Sequence, residues 1–284
     1  MNKIRVIPRL DIKGPNLVKG IHLEGLRVLG KPENFAKYYY KNGADELFFQ
    51  DTVASLYDRN SLQNIIEKTA KEIFIPLTVG GGIRTIENIN SILRAGADKV
   101  AINTEAIKNP EFIRQAALSF GSSTIVIAIE AIKQSDGNYL AYTDNGREYT
   151  GVEVLKWAKQ VEALGAGEIV VTSVDKEGTG EGFDYELMSL LASSVSIPVI
   201  AHGGFGQPSD AIRAINDCKV DAISIASSLH YDYIRLNANQ DEFLEEGNTA
   251  FLNSGQTFKK INPFTINQIK EVMYKNNIPV RIVK

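Results

Sequence analysis

Two carboxylates stand at corresponding places in a repeated stretch of the chain. Asp11 follows the run 5–10 (RVIPRL), and Glu130 follows the corresponding run 124–129 (TIVIAI). Both runs are rich in β-branched residues, so each acid is expected at the end of a β-strand. A facing pair of carboxylates is suited to general acid–base catalysis, in which one is protonated while the other is ionised. The alternative is a pair of solvated acids in loops.

Two glycine-rich turns accompany these acids. A short apolar strand enters Gly80-Gly81-Gly82, and a similar strand enters Gly203-Gly204. Glycines have no Cβ, so backbone N–H groups there approach an anion closely. Polar or small residues follow the next strand in each copy, before a helix, which is a favourable place for phosphate. The predicted phosphate-binding residues are Gly81, Gly82, Asn103, Thr104, Gly203, Gly204, Ala226 and Ser227.

Two such sites on opposite sides of one opening imply a long substrate with a phosphate at each end. Lys19, in the segment that follows Asp11, is predicted to add a positive charge to this binding site. The alternative is that Lys19 is an ordinary exposed lysine.

Four charged residues stand at the beginnings of predicted strands, far from the glycine turns. They are Arg5, Glu46, Lys99 and Glu168. Two cations and two anions at one level of a barrel can form a closed set of ion pairs, which we call the charged ring. The alternative is the generic charge that many strands carry at their start.

The scaffold that would position these residues is an alternation of strands and helices. Strand-like runs begin at Ile4, Glu46, Ile75, Lys99, Thr124, Glu168, Ile197 and Ala222. Helical patterns cover 32–42, 61–71, 86–95, 110–120, 152–164, 185–194 and 208–217. Strict alternation predicts parallel strands with right-handed crossovers. Eight units predict an α/β fold, a (β/α)8 TIM barrel, as a single domain over residues 1–284. The alternative is an open doubly wound sheet.

The chain repeats itself across its two halves. Pro76 and Pro198, which open the two glycine-turn strands, are 122 residues apart, and Gly43 and Gly165 have the same spacing. A repeat of this length is typical of a duplicated half-domain rather than of a solenoid. The sequence therefore predicts a barrel built from two matching half-barrels.

Two segments depart from the alternation. Residues 12–29, with several glycines, are predicted to form a long, mobile and functional loop after the first strand. The segment 231–260 is longer than the last connection requires and precedes a final helix over 263–275. We interpret it as a lid or a partner contact, or alternatively as an insertion without a role.

Composition excludes several classes of protein. The formal net charge of −3 argues against non-specific nucleic-acid binding, which requires a basic surface. The single cysteine, Cys218, excludes an internal disulfide and is typical of a reducing compartment. No signal peptide and no apolar run long enough to span a bilayer is present. We expect a soluble cytoplasmic protein that needs neither a metal nor a cofactor.

Several motifs, in order, resemble those of a known family. The chain is similar to the cyclase subunit of imidazole glycerol phosphate synthase, the synthase half of a glutamine amidotransferase in histidine biosynthesis. The similarity runs from Arg5 to about His230 and again over the last helix. The motifs that carry it are 10–13 (LDIK), 18–20 (VKG), 78–83 (TVGGGI), 102–104 (INT), 172–175 (TSVD), 177–179 (EGT) and 203–204 (GG).

The resemblance implies a lyase-type reaction and a partner. A HisH-like glutaminase would dock on the N-terminal face of the barrel and release ammonia, which would cross the charged ring as a gate. At the mouth, ammonia would convert a phosphoribulosyl-formimino carboxamide nucleotide (PRFAR) to imidazole glycerol phosphate and an aminoimidazole carboxamide ribotide (AICAR). Asp11 would be the principal acid/base. Substrate contacts would be Lys19, Asp51, Thr172, Glu177 and Gly178, and docking residues would be Asp45 and Asp98.

Two positions depart from the family pattern. The second catalytic carboxylate is usually aspartate and here is Glu130, and Arg9 stands where a small cysteine is usual. Period-two alternation places Arg9 and Asp11 on the inner side of the first strand. A buried guanidinium needs a carboxylate partner. We therefore expect Glu130 to reach across and pair with Arg9, which would keep both acids ionised and remove Glu130 from proton transfer.

These departures leave alternatives to the histidine-pathway reaction. One is a diverged relative that passes ammonia to another acceptor, for acetamidino modification of a bacterial surface sugar. Another is a catalytically silent barrel that binds and activates a glutaminase. An isomerase on the same duplicated barrel is a more distant alternative, because it would not need the charged ring.

Overall fold

Eight parallel strands close into a barrel in the computed structural model of this chain, which describes residues 3–54, 62–237 and 261–282. Around the barrel the strands follow the order β1, β4, β5, β6, β7, β10, β11 and β12, and β12 pairs again with β1. Their bounds are Arg5–Lys13 (β1), Leu47–Asp51 (β4), Leu77–Gly80 (β5), Lys99–Ile102 (β6), Ile125–Lys133 (β7), Glu168–Ser173 (β10), Val199–His202 (β11) and Ala222–Ile225 (β12). The predicted (β/α)8 barrel is confirmed, and the open sheet is excluded because the first and last strands pair.

Helices connect consecutive barrel strands along the outside. They are α1 (Pro32–Lys41), α2 (Gln63–Ala70), α3 (Ile86–Ala95), α4 (Thr104–Lys108), α5 (Glu111–Phe120), α6 (Val154–Ala163), α7 (Tyr185–Ala192), α8 (Pro208–Asn216), α9 (Ser227–Asn237) and α10 (Ile266–Lys275). Within the described ranges, no helix combines the length and apolar content that a membrane span requires.

A β-hairpin follows the first strand of each half. Strands β2 (Asn16–Ile21) and β3 (Glu24–Gly30) continue from β1, and β8 (Tyr139–Thr143) and β9 (Glu148–Glu153) continue from β7. Both turns contain two consecutive residues with positive φ, at positions 22–23 and 144–145, again 122 residues apart. The long loop predicted over 12–29 is therefore largely a paired hairpin. Its glycines lie within or beside the strands and do not prevent pairing.

Apolar side chains fill the barrel interior, and a larger apolar layer lies between the strands and the helices. The interior cluster consists of Ile7, Phe48, Ala101, Val126, Ala128, Val170, Ile200 and Ala222. Because side chains alternate along a strand, residues two positions further along also face inward. These next residues form the floor of the barrel mouth at the C-terminal ends of the strands.

The long segment predicted over 231–260 is described only in part. Residues 231–237 complete helix α9. The remainder of the segment lies outside the described residues. The chain is described again from Ile261, and α10 packs against α8. Buried Lys270 on α10 forms an ion pair with Asp45, with 2.6 Å between Nζ and Oδ2, which fixes the C-terminal region to the barrel.

Candidate active site

The charged ring exists at the N-terminal end of the barrel. The Arg5 guanidinium contacts Glu46 at 2.8 Å and Glu168 at 2.7 Å. The Lys99 ammonium contacts the same two acids, at 3.0 and 2.8 Å. Each cation thus bridges both anions, and the four side chains close a ring. Thr78 donates a further hydrogen bond of 2.6 Å to Glu46.

A second buried cluster lies at the opposite end, around Asp11. Arg9 Nε donates to Asp11 Oδ1 at 2.9 Å, and Lys19 Nζ lies 3.4 Å from Oδ2. Lys19, carried into the mouth by β2, also contacts Glu177. All four side chains are at most 2% exposed. Asp11 is therefore held between two cations and away from water.

The two candidate catalytic carboxylates have opposite environments. Burial alone would raise the pKa of Asp11, but Arg9 and Lys19 outweigh it and hold that pKa well below its usual range. Burial raises the pKa of Glu130 to about 7, against the opposing effects of Arg9 and of a 2.8 Å hydrogen bond from the Gly146 N–H. Near neutral pH, Asp11 is ionised and Glu130 is divided between its two forms. Such a separation of pKa values is the usual basis for assigning acid and base roles.

The expected pairing of Arg9 with Glu130 is wrong. The Arg9 guanidinium instead binds Asp11 through Nε and donates from Nη1 to Thr172 Oγ1 at 3.1 Å. Asp11 lies two positions along the same strand face, so the guanidinium reaches it without crossing the barrel. Glu130 bonds to the turn of the second hairpin. The buried guanidinium does have a carboxylate partner, but Glu130 is not held ionised.

A first pocket of about 650 Å³ lies at the ends of β5 and β6. The predicted residues of the first phosphate site line it, and so do residues at the floor of the barrel mouth. Its predicted lining residues are Asp51, Gly81, Gly82, Asn103, Thr104, Glu130 and Thr172. Asp51 Oδ1 accepts from the N–H groups of Val53 and Ala54, at 3.0 and 2.9 Å, and so organises the adjacent loop.

A second pocket of about 260 Å³ lies at the ends of β11 and β12. Every predicted residue of the second phosphate site lines it, and so do two residues predicted from the resemblance. These residues are Glu177, Gly178, Gly203, Gly204, Ala226 and Ser227. Ser227 begins α9, an eleven-residue helix whose N-terminus carries partial positive charge. The two pockets lie on different sides of the mouth, with the Asp11 cluster between their strands.

The glycine turns have the same construction in both halves. Gly81 has φ +106°, and a Cβ there would lie 2.5 Å from the Asp51 carbonyl oxygen. Gly203, 122 residues later, has φ +93°, and its Cβ would lie 2.6 Å from the Ser173 carbonyl oxygen. Both positions need glycine for backbone conformation and for space. The backbone is consequently what these residues present to each pocket.

The two predicted docking aspartates make contacts within the chain. Asp45 pairs with Lys270 and with Arg281, whose Nε lies 2.9 Å from Oδ1. Asp98 accepts from the Leu77 N–H at 2.8 Å but remains exposed. Both lie at the N-terminal face, where strands begin. Docking by these residues stays a prediction.

Several site residues were not predicted from the sequence. Asp144 and Asn145 of the second hairpin turn line the first pocket, and His202 and Ser224 line the second. The Asp-Asn-Gly turn signal could have located the first pair. Strand alternation from Ile200 and Ala222 could have located the second. Within the described part of the chain, no group of three or more residues is arranged to hold a metal ion.

The sequence comparisons agree with this geometry. The family described as histidine biosynthesis protein matches residues 5–235. The imidazole glycerol phosphate synthase subunit HisF of Legionella pneumophila is 57% identical over 207 residues, which is 73% of this chain and 98% of that protein. The subunit HisF of Lactococcus lactis subsp. lactis (strain IL1403) is 42% identical over 281 residues, 99% of this chain and 97% of that protein.

The chain belongs to the HisF family. A third HisF relative, from Exiguobacterium sp., is 48% identical over 230 residues, 81% of this chain and 89% of that protein. The resemblance that the motifs indicated is thereby confirmed along nearly the whole chain. The HisF framework here carries an arginine at position 9 and a glutamate at position 130.

Proposed function

We propose that this chain is the ammonia-dependent cyclase subunit of an imidazole glycerol phosphate synthase, converting PRFAR and ammonia to imidazole glycerol phosphate and AICAR. The observation that carries the proposal is the pair of pockets at the ends of β5–β6 and β11–β12, with buried carboxylates between them. This arrangement suits a ligand with a phosphate at each end and its reacting centre over the mouth. Membership in the HisF family supports the same reaction.

Ammonia is proposed to enter through the charged ring. The ring lies at the bottom of the barrel, and the apolar interior cluster separates it from the mouth. An apolar interior admits neutral ammonia far more readily than ammonium, because an unpaired ion is costly to bury. At the top of this path the Arg9 guanidinium lies 5.6 Å from the centroid of the Phe48 ring. Ammonia would therefore pass beside Arg9 before reaching the substrate.

Proton transfer is assigned chiefly to Glu130. When ammonia adds to the ketone carbon of PRFAR, the carbonyl oxygen gains a proton, the nitrogen loses protons and water leaves. Ring closure on the formimino carbon then breaks the bond to the carboxamide ribotide, whose nitrogen takes a proton. A group with a pKa of about 7 both donates and accepts protons near neutrality. Asp11, fixed as an anion, would stabilise the positive charge that develops on nitrogen.

A glutaminase partner is proposed for the N-terminal face. Several large apolar side chains at that face are exposed. They are Phe74 (81%), Leu118 (83%), Tyr274 (65%) and Ile282 (44%). Phe74 precedes β5, and Leu118 and Tyr274 lie in last helical turns, which in this fold point to the same face. An apolar surface around an ammonia entrance suits a protein that supplies ammonia.

We further propose that residues 1–284 form a single domain, and that the protein acts in the cytoplasm. The single cysteine, which is typical of a reducing compartment, supports that location.

The test is an assay of the purified chain with an ammonium salt and PRFAR. We expect PRFAR to disappear and AICAR to form at a rate that rises with pH as ammonium is converted to ammonia. The matched control is Glu130→Gln, which keeps the size of the side chain and removes its proton. If wild-type protein binds PRFAR tightly without turnover, the cyclase proposal is wrong and a silent or ammonia-relaying barrel replaces it.

A further inference from the structure

Two polar side chains in the second pocket have no role in the account above. His202 on β11 and Ser224 on β12 are adjacent in register. Each lies two positions after an interior residue, Ile200 and Ala222, so both face inward at the level of the mouth. Both line the second pocket, and they are 2% and 1% exposed.

The tautomer of His202 is fixed by its surroundings. His202 Nδ1 lies 3.0 Å from the Ser224 carbonyl oxygen, and a carbonyl oxygen only accepts hydrogen bonds. Nδ1 therefore carries the proton, and Nε2 presents a lone pair. Burial, and then the nearby Arg9 and Lys19 charges, lower the pKa of His202 well below its ordinary value, so the ring is neutral. Nε2 is thus an acceptor.

Two polar atoms of this pair lack partners. His202 Nε2 and Ser224 Oγ are both buried, and neither has a hydrogen-bond partner among the residues that the structure describes. Leaving a buried polar atom unpaired is costly, and such atoms in native proteins usually mark a missing ligand or water. Two of them on neighbouring strands, facing one pocket, point to a shared ligand group that both donates and accepts.

We propose that His202 and Ser224 form a subsite for a hydroxyl group of the ligand, next to the phosphate that the second pocket holds. The hydroxyl donates its hydrogen to His202 Nε2, and its oxygen accepts from the Ser224 hydroxyl. A phosphate oxygen does not fit in place of that hydroxyl, since it would face the Nε2 lone pair. The ligand class is therefore a phosphorylated polyol chain, and its identity as one end of PRFAR rests on the proposed function.

The subsite also distinguishes the two ends of the substrate. The residues that correspond to His202 and Ser224 in the first half are Gly80 and Ala101, which are likewise adjacent in register. Neither has a polar side chain. The two phosphate pockets thus have the same glycine-turn backbone, but the strand residues next to the turns are polar in the second pocket and not in the first. A bisphosphorylated ligand is consequently bound in one direction only.

The test uses histidine-selective 15N labelling of the full chain. The chain has three histidines, so their ring nitrogens give a sparse spectrum, and His202→Gln identifies the His202 signals by their loss. The probes are glycerol 3-phosphate, which has hydroxyls, and propyl phosphate, which has none. We expect the His202 Nε2 resonance to be of the unprotonated type, and to shift with glycerol 3-phosphate but not with propyl phosphate.

Affinity provides a second readout. We expect the dissociation constant of glycerol 3-phosphate, measured by calorimetric titration, to be roughly tenfold lower than that of propyl phosphate, as one or two hydrogen bonds would give. Ser224→Ala, a small change at a buried position, should remove most of that preference. Equal responses to both phosphates, or a protonated Nε2, would overturn the subsite; equal responses would indicate a bound water instead. PRFAR turnover without this discrimination refutes only the subsite, and discrimination without turnover refutes only the cyclase proposal.

Discussion

At the scale of single residues, the chemistry depends on how Arg9 is placed. Arg9 and Lys19 contact Asp11 from two sides, whereas Glu130 receives a hydrogen bond from a backbone N–H and lies in a buried site. The first environment favours the charged form of a carboxyl group, and the second favours the neutral form. The residue at position 9 therefore changes which of the two carboxylates is available to exchange protons.

Replacing Glu130 by glutamine should separate activity from stability. The variant is expected to lose PRFAR turnover by at least a hundredfold, because its amide cannot transfer a proton. Because the pKa of Glu130 is raised in the folded state, the folded protein binds more protons than the unfolded chain between about pH 4.5 and 7. The free energy of unfolding of wild-type protein therefore falls as the pH rises through that window. Glu130→Gln should therefore be more stable than wild type by up to about 3 kcal/mol at pH 8 and equally stable at pH 4. Denaturant unfolding at the two pH values measures this, and a less stable variant at pH 8 would contradict the assignment.

Replacing Arg9 by methionine should move the acidic limb of the rate profile. The Arg9 charge lowers the pKa of Asp11 and that of Glu130, so both pKa values rise when the guanidinium is removed. We expect kcat/KM to decline at correspondingly higher pH in the variant. Thr172→Val is the matched control, since it removes the other Arg9 contact and leaves the charges unchanged. An unchanged limb in Arg9→Met would show that the carboxyl group that controls the limb does not respond to the Arg9 charge.

At this scale the sequence predicted which face of a strand a side chain lies on, but not which residue that side chain contacts. Alternation placed Arg9 and Asp11 on the inner side of β1, as observed. It did not show which carboxylate the guanidinium would meet, because that depends on the direction of a long side chain. Glu130 bonds to Gly146, whose position depends on a hairpin that the sequence reading did not identify.

At the scale of elements, the glycine turns position the phosphate pockets. These turns need glycine for two reasons: the backbone φ is positive, and an added Cβ would collide with a carbonyl oxygen of the neighbouring strand. The barrel strands and seven of the helices were predictable within about two residues, because their apolar periodicity is strong. Helices α4 and α9 were not predicted, and α10 begins three residues later than predicted. The hairpins were not predicted either, since glycines at 20, 25 and 30 were interpreted as loop residues. The Asp144-Asn145-Gly146 turn flanked by alternating residues was the available signal for the second hairpin.

Gly203→Ala should raise the KM for PRFAR and reduce stability. Alanine at positive φ costs roughly 1–2 kcal/mol, and its Cβ would also lie 2.6 Å from the Ser173 carbonyl oxygen, so the turn must move. Gly137→Ala is the control, because Gly137 has φ +89° and no atom within 4 Å of the added Cβ. Thermal unfolding and steady-state kinetics measure both effects. A rise in KM of similar size in both variants would refute the assignment of Gly203 to the phosphate pocket.

At the scale of the molecule, the barrel separates two tasks between its faces. The mouth carries two pockets and the carboxylates, and the opposite face carries the charged ring and exposed apolar side chains. The repeat at 122 residues predicted the two pockets on opposite sides of the mouth, because matched half-barrels place matched sites across it. The sequence shows that His202 stands where the first half has Gly80, but the buried His202 Nε2 without a partner among the described residues is visible only in the structure.

Phe74→Ser should weaken association with the glutaminase and leave ammonium-driven turnover intact. The Phe74 side chain is 81% exposed at the N-terminal face, so its loss changes the proposed docking surface without disturbing the core. We expect the dissociation constant of the complex to rise about tenfold or more, as for a central aromatic contact. Tyr149→Ser is the control, because Tyr149 is 65% exposed on a hairpin beyond the mouth. Equal binding by wild-type protein and Phe74→Ser would place the partner elsewhere.

The most direct test of the central claim is isotopic. The purified chain, without any partner, is incubated with PRFAR and 15N-ammonium chloride, and the products are separated and analysed by mass spectrometry. Our account predicts one 15N atom in each molecule of imidazole glycerol phosphate and none in AICAR. Label in neither product, or no product at all from protein that binds PRFAR, would contradict it.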